Sequence, residues 1–285
     1  MSAPASPNAD TIEYWNDVLA AKFERFRHVF VGASDVHSRR PLERNGPEPG
    51  MRVLDVGCGF GETTLQLAGL VGPGGSAVGT DCCRRFLEVA RADARAAGVT
   101  NAAFELADAQ TAAFEPEFGL AFARFGTMFF ADPVAGMRNI RSALAPGGRL
   151  LMVVWAPIED NPWLAFARAV VQRHLPAEAS VPVPGPGPFS LSDADVVTRT
   201  LTAAGYRDVA LERTTAVVQV GASVDEALAF QLTIGPAAGL LREWPEDAER
   251  NRNSIETELR AVLEQHARPD GVWMGTSSWA VSALG

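Results

Sequence analysis

Cysteine is scarce in this sequence of 285 residues, and its positions do not suit a set of disulfide bonds. The three cysteines are Cys58, Cys82 and Cys83, an odd number that includes an adjacent pair. The sequence has no C-x-x-C pair and no cluster of histidine and cysteine, so we expect no metal site. Because thiols stay reduced inside cells, the expected compartment is the cytoplasm.

Long apolar runs and basic runs are also missing. No stretch approaches the roughly 18–20 apolar residues of a membrane-spanning helix, so no membrane span is expected. The first residues, MSAPASPNAD, lack the pattern of a signal peptide and are predicted to be a loose tail. Lys22 is the only lysine, and the net charge is −9. Since nucleic-acid binding depends largely on neutralising phosphates, nucleic acid is not expected as a partner.

From residue 51 onwards, segments typical of strands alternate with segments typical of helices. The predicted strands read MRVLDVG, SAVGTD, NAAFELAD, FGLAFARF and RLLMVVWA. The predicted helices between them include GETTLQLAGLV, RRFLEVARADARAAG and VAGMRNIRSALA. This alternation predicts right-handed crossovers and a doubly wound, mostly parallel sheet, which is an α/β fold.

The flanking segments are less regular. Apolar residues spaced by three and four predict one helix over residues 11–31, and the polar stretch PLERNGPEPG separates this helix from the first strand. After residue 157, NPWLAFARAVVQRHL predicts a helix and PAEASVPVPGPGPF a proline-rich loop, which together form an inserted cap. We divide the single domain into a tail and cover helix (1–50), a ligand-binding core (51–156), and cap helices with completing strands (157–285).

The segment VLDVGCGFG, residues 53–61, raises the question of which ligand approaches the backbone so closely. A dinucleotide fingerprint has a third glycine at its sixth position, whereas Glu62 stands there and would repel a pyrophosphate. A phosphate loop requires a lysine followed by serine or threonine, and none follows. The loop is better suited to a ligand that contains adenosine and an amino acid but no phosphate.

Two aspartates follow at the ends of the next two predicted strands. Asp81 lies 24 residues beyond Gly57, where a carboxylate can accept hydrogen bonds from both ribose hydroxyls. Asp108 ends the third strand and could accept from an adenine amine. Because the carboxyl ends of parallel strands meet at one edge, these groups are predicted to face one crevice.

In these segments, and in the PGG turn at residues 146–148, the sequence resembles the class I S-adenosylmethionine-dependent methyltransferases over residues 51–156. Within this family, the sequence resembles the small-molecule group that includes the ubiquinone and menaquinone biosynthesis methyltransferases. The resemblance implies a Rossmann-like sheet of about seven strands with the last one antiparallel. It also implies S-adenosyl-L-methionine as cofactor and S-adenosyl-L-homocysteine as its product.

The resemblance assigns roles to individual residues of the core. Asp55, Gly57, Gly59 and Gly61 receive the methionine part of the cofactor. Asp81 holds the ribose, and Cys82 lines the adenine. Asp108 and Ala109 read the adenine edge, while Arg124 and Phe125 lie near the methyl group. Asp132 is interpreted as a helix cap and not as a catalytic residue.

The acceptor side has weaker signals. A base is needed only if the acceptor must lose a proton, and the candidates are His37 and His28. An apolar acceptor pocket is predicted from six side chains, namely Tyr14, Trp15, Met128, Phe129, Trp155 and Trp163. The predicted function is methylation of a small molecule. The alternatives are an RNA or protein methyltransferase, an inactive S-adenosylmethionine-binding protein and, weakened by Glu62, a dehydrogenase. A homodimer is also an expectation.

Overall fold

A computed structural model describes residues 7–180 and 185–285 of the chain. The first six residues of the predicted tail and residues 181–184 of the predicted proline-rich loop lie outside the described residues. No helix in the described ranges is both long enough and apolar enough to span a membrane.

A single sheet of eight strands forms the centre of the described structure, in the order β3-β2-β1-β4-β5-β8-β6. The strands are β1 Arg52–Val56, β2 Ser76–Asp81, β3 Ala102–Leu106, β4 Phe118–Arg124, β5 Leu144–Trp155, β6 Arg207–Gly221, β7 Ala267–Arg268 and β8 Gly271–Leu284. The first five strands are parallel to one another. Strand β8 runs antiparallel between β5 and β6, and the short β7 pairs with β8. The predicted mostly parallel α/β sheet is therefore confirmed.

Helices cover both faces of the sheet. They are α1 Ala9–Tyr14, α2 Ala20–Arg25, α3 Arg27–Asn45, α4 Glu62–Val71, α5 Arg84–Ala96, α6 Pro133–Ser142, α7 Pro162–Arg173, α8 Ala194–Ala203, α9 Val224–Thr233, α10 Pro236–Glu243, α11 Pro245–Arg250 and α12 Arg252–Gln265. Successive residues of the central strands pack into different apolar clusters: Val53 and Leu120 contribute to one, and Leu54 and Ala121 to the other. Because side chains alternate across a strand, this pattern shows a sheet buried on both faces.

The N-terminal helix differs from the prediction of a single helix over residues 11–31. Residues Trp15–Leu19 form a π-helix, and the chain bends at Phe26 before α3 begins. Helix α3 then continues through Pro41 to Asn45, so the predicted separating stretch is helical in its first half. Pro41 has no amide proton to donate, but it lies in the last turns of the helix and its side chain is buried.

Candidate functional site

A cavity of about 1150 Å³ opens at the carboxyl ends of the parallel strands. Strand ends or the loops after them supply one wall: the glycine loop follows β1, Asp81 ends β2, Asp108 follows β3 and Arg124 ends β4. The opposite wall comes from the N-terminal helices and from α7 and α10. Open parallel sheets bind ligands at this edge, so the cavity is the candidate site.

The glycine loop is held against β2 by backbone hydrogen bonds. The amides of Gly57 and Cys58 both donate to the carbonyl of Thr80, at 2.8 and 3.0 Å. Gly59 has a φ of +54°, lines the cavity, and would place an added Cβ more than 4 Å from any other atom. A side chain there would occupy space that a ligand can fill, so Gly59 leaves room for a close approach to the backbone.

Gly61 is required for a different reason. An added Cβ would lie 2.8 Å from both the Cβ of Ala90 and a ring carbon of Phe104. Its φ of +84° also favours glycine at the start of α4. Gly61 does not line the cavity, so the structure gives it a packing role beneath the loop.

Asp81 connects the glycine loop to the second strand. Its Oδ2 accepts from the amide of Gly59 at 2.9 Å, and its Oδ1 accepts from the amide of Cys83 at 2.8 Å. A carboxylate offers about four acceptor positions, so two remain for hydroxyl donors of a ligand. Burial raises the pKa of Asp81 to about 6, although the two backbone amides favour the charged form. The half-buried side chain lines the cavity.

Asp55 lies beneath the loop rather than on the cavity surface. Its side chain is 0% exposed, and its Oδ2 accepts from the hydroxyls of Thr63 and Thr64 at 2.7 and 2.6 Å. Burial raises its pKa, and the two threonine hydroxyls act in the opposite direction. These hydrogen bonds fix the start of α4 against β1, so Asp55 shapes the loop that lines the cavity.

Asp108 is held in place by the chain that follows it. Its Oδ1 accepts from the amide of Gln110 at 3.0 Å, and its Oδ2 accepts from the hydroxyl of Thr111 at 2.9 Å. The side-chain amide of Asn8, from the residue that precedes α1, lies 3.4 Å from Oδ1. Ala109 and Cys82 also line the cavity, and burial raises the pKa of the Cys82 thiol. This corner therefore groups the residues predicted to read an adenine.

Arg124 and Phe125 form the base of the cavity after β4. The Arg124 side chain is 9% exposed, and its Nη1 lies 3.1 Å from the hydroxyl of Ser38 and 3.6 Å from Asp35 Oδ1. Phe125 has a φ of +59°, a conformation that bulky residues rarely adopt. Its ring stacks on Trp155 at 3.7 Å between centroids. Left-handed backbone at a non-glycine residue is often found at functional sites.

The six side chains predicted for the acceptor pocket all line the same cavity. Trp155 lies 5.3 Å from Trp163 between ring centroids, and Trp163 stacks on Phe230 at 6.0 Å. On the other side, the ring of Trp15 meets that of Phe129 edge-on at 5.1 Å. Aromatic rings thus line the cavity in two groups, one around Trp155 and one around Trp15.

Neither histidine predicted as a base lines this cavity. His28 is 62% exposed, and its Nε2 lies 2.9 Å from Glu226 Oε1. His37 is buried behind the aromatic wall, edge-on to both Phe125 and Trp155. The structure therefore does not bring these two residues to the place where a base would act.

His37 belongs to a buried chain of hydrogen bonds. The amide of Ser277 donates to Asn161 Oδ1, which identifies this atom as the side-chain oxygen. The hydroxyl of Thr276 lies 3.1 Å from the same oxygen and must therefore be a donor. Thr276 then accepts from His37 Nε2 at 3.2 Å, which leaves Nδ1 to accept from the hydroxyl of Ser278 at 2.8 Å. Burial lowers the pKa of His37 to about 4, with a smaller contribution from the charge of Arg124. His37 is thus neutral, and both of its ring nitrogens are engaged.

Several residues of the site have no clear signal in the sequence. Asn8 and Asn161 precede helices, and such residues are ordinarily read as helix caps. Their side chains instead bond to distant parts of the chain: Asn8 accepts from the amide of Ala131 at 3.0 Å, and Asn161 accepts from the amide of Ser277 at 2.9 Å. Asp132 is a helix cap as predicted, because its carboxylate accepts from the amide of Ala135.

Comparisons with known proteins agree with this geometry. Residues 47–177 match the family described as methyltransferase domain. The ubiquinone/menaquinone biosynthesis C-methyltransferase of Ectopseudomonas mendocina is 32% identical over 165 residues, which cover 57% of this chain and 64% of that protein. The chain therefore spans less than two thirds of the length of this relative.

Solved structures share the fold. The YcgJ protein of Bacillus subtilis has a TM-score of 0.55 and 17% identity, over 86% of this chain and 96% of that one. Phosphoethanolamine N-methyltransferase 2 of Haemonchus contortus, solved with phosphomonomethylethanolamine and S-adenosylhomocysteine, has a TM-score of 0.52 and 19% identity, over 99% of this chain and 61% of that one. The family match thus identifies residues 47–177 as a methyltransferase domain, and the strand order and the solved structures show that the chain has a fold also found in an S-adenosylhomocysteine-bound methyltransferase.

Proposed function

We propose that this protein binds S-adenosylmethionine in the cavity and transfers its methyl group to a small-molecule acceptor. One observation carries the proposal: the glycine loop, Asp81 and Asp108 lie on one wall of a cavity whose other wall is aromatic. Its volume of about 1150 Å³ lies just above the range of about 300–1,000 Å³ for pockets that hold one drug-sized ligand. A cofactor and an acceptor together would use such a volume.

The residues present suit the cofactor. Gly59 leaves open space beside the backbone, and Asp81 keeps acceptor positions for two ribose hydroxyls. Asp108 would face the adenine edge at the far end of the same wall. The carboxylate of Glu62, at the N-terminus of α4, disfavours a phosphate there, although its ion pair with Arg27 at 2.6 Å compensates part of that charge.

When bound, S-adenosylmethionine supplies a methyl group already activated on a sulfonium. The chain then has to hold the acceptor in line with this group and keep water away. Phe125, Trp155 and Trp163 form a rigid apolar wall suited to both tasks, because their rings contact one another and are buried. Since the two histidines lie outside the cavity, the proposal assigns no general base.

The acceptor is proposed to be a small apolar or aromatic molecule. The aromatic surface around Trp155 and Phe230 supports this class, as does the relative named for ubiquinone and menaquinone biosynthesis.

Cys58, Cys82 and Cys83 are free thiols, which supports the cytoplasm as the compartment. The homodimer stays a proposal that light scattering can test.

The test is a methyl-transfer assay with methyl-labelled S-adenosylmethionine and a bacterial extract separated into small metabolites, RNA and protein. Label is expected in the small-metabolite fraction, and Asp81→Ala should abolish most of it. Label in RNA or protein alone would contradict the acceptor class. Binding of S-adenosylhomocysteine without any transfer would favour the inactive binding protein.

A further inference from the structure

The arginine side chains that line the cavity differ in whether they have a partner. Arg124 lies beside Ser38 and Asp35, and the guanidinium of Arg242 lies over the ring of Tyr14 at 5.7 Å. Arg168 also lines the cavity and is half-buried. Within residues 7–180 and 185–285 it has no ion pair, hydrogen bond or aromatic partner. A guanidinium that loses part of its hydration in this way favours an anionic partner.

The position of Arg168 follows from helix α7. It lies one turn beyond Leu164, on the same face of the helix, and both residues line the cavity. Trp163, the residue before Leu164, also lines the cavity, and five residues at 1.5 Å each place the Cα of Arg168 about 7.5 Å further along the helix axis. The buried Ala179 lines the cavity as well, and Leu164 packs against Gly235 before α10. Arg168 therefore lies on the cap, on the wall opposite the glycine loop.

This arrangement pairs an aromatic surface with a cation that has no partner among the described residues. The rings of Trp155, Trp163 and Phe230 would contact the apolar part of an acceptor. A guanidinium beyond them can donate two parallel hydrogen bonds to a carboxylate, sulfonate or phosphate. We propose that Arg168 forms a subsite for an oxyanion on the acceptor, so that the acceptor is an apolar or aromatic molecule with a single acidic group. This inference rests on the proposed function, because only a methyl-transfer enzyme has an acceptor. The oxyanion subsite itself can be tested by binding measurements alone.

A matched pair of fluorescent probes isolates the charge. 1-Anilinonaphthalene-8-sulfonate and N-phenyl-1-naphthylamine share one ring system, and only the first carries a sulfonate. Energy transfer from tryptophan reports binding of either probe, and Trp15, Trp155 and Trp163 line the cavity. Arg168→Gln is expected to weaken binding of the sulfonate probe by about tenfold, as expected for loss of a charged hydrogen bond, and to leave the neutral probe unchanged. Arg168→Lys should keep part of the sulfonate preference.

Arg173→Gln is the control on the same helix. Its side chain is 59% exposed and pairs with Glu258, so this variant changes the net charge equally without touching the cavity. The proposal would be overturned if the wild type did not bind the sulfonate probe, or if Arg168→Gln bound this probe as tightly as the wild type. It would also be overturned if Arg168→Gln lost affinity for both probes equally, or if Arg173→Gln lost the same affinity for the sulfonate probe. S-adenosylhomocysteine affinity, measured on the same variants, is expected to stay constant. Failure of the cofactor to bind at all would instead contradict the proposed function.

Discussion

Asp55, Asp81 and Asp108 lie in or after three neighbouring strands, but they differ in their surroundings. Asp55 is enclosed by Thr63 and Thr64, whereas Asp81 and Asp108 line the cavity. Strand-end aspartates are visible in the sequence, so their approach to one edge could be predicted. The enclosure of Asp55 could not, because it depends on the hydroxyls of a helix that folds back over β1.

The two cavity aspartates should differ in their contribution to cofactor affinity. Asp81→Ala removes the proposed acceptor of two ribose hydroxyls, at about 1.5–3 kcal/mol for each charged hydrogen bond. It also frees the amides of Gly59 and Cys83. Asp108→Asn should be milder, because an amide oxygen still accepts. Titration calorimetry with S-adenosylhomocysteine measures both, and a larger loss for Asp108→Asn would show that the ribose and adenine assignments are wrong.

The raised pKa of Asp81 makes a prediction for pH. Because burial raises this pKa to about 6, the carboxyl gains a proton as the pH falls from 7 to 5, and it then accepts fewer hydrogen bonds. S-adenosylhomocysteine affinity should therefore fall as the pH falls from 7 to 5. The stability of the apo fold has the opposite dependence: Asp81 contributes stability at low pH, and this contribution is lost as the pH rises through 6. In Asp81→Asn the affinity should be lower and nearly independent of pH. A wild-type affinity that is flat between pH 7 and 5 would contradict this assignment.

Phe125 offers a test of backbone strain. Its φ of +59° disfavours any residue with a Cβ, by about 1–2 kcal/mol relative to glycine. Phe125→Ala and Phe125→Gly both lose the stacking on Trp155. Phe125→Gly should nevertheless have the larger free energy of unfolding, by about 1 kcal/mol. Urea denaturation compares the two variants, and a more stable Phe125→Ala would show that the left-handed conformation is not kept in solution.

At the scale of elements, the N-terminal helices show what apolar periodicity misses. The spacing of Trp15, Phe23 and Phe26 predicts one continuous face, and these side chains do pack inward. The π-helix at Trp15–Leu19 and the bend at Phe26 interrupt the helix without interrupting that apolar pattern. The extension through Pro41 also overrides a local breaker signal, because buried packing of Pro41 and Leu42 holds the last turns in place.

Helix α3, strand β8 and the start of α7 are joined by the buried hydrogen bonds of Thr276, and a substitution of Thr276 tests these bonds. Thr276→Val keeps the side-chain shape but removes the hydroxyl that accepts from His37 and donates to Asn161. Leaving these buried groups unpaired should lower the free energy of unfolding by about 1–3 kcal/mol. Thr276→Ser, which keeps the hydroxyl, is the control and should lose less.

The same variants separate stability from binding. S-adenosylhomocysteine affinity should be equal in Thr276→Val and Thr276→Ser, because Thr276 does not line the cavity. Acceptor turnover should fall only in Thr276→Val, since Asn161 also holds the indole of Trp163. Denaturation curves that coincide for the two variants would contradict the hydrogen-bond chain.

At the scale of the whole molecule, the parallel direction of the first five strands follows from their alternation with helices, and that direction brings the glycine loop and two aspartates to one edge of the sheet. The antiparallel β8 between β5 and β6 was implied only by resemblance, because no local pattern in GVWMGTSSWAVSAL specifies its partner. The aromatic wall was predictable as a group of residues. The positions of His37 and Arg168 were not, since each depends on how elements far apart in the sequence pack together.

The central claim is that this cavity binds an adenosyl amino acid and not a dinucleotide. Titration calorimetry of the wild type with S-adenosylhomocysteine and with NAD, at pH 7.5 and equal concentrations, tests it most directly. We predict one S-adenosylhomocysteine bound per chain, an accompanying rise in melting temperature, and no measurable heat with NAD. Equal binding of both ligands, or binding of NAD alone, would contradict the account.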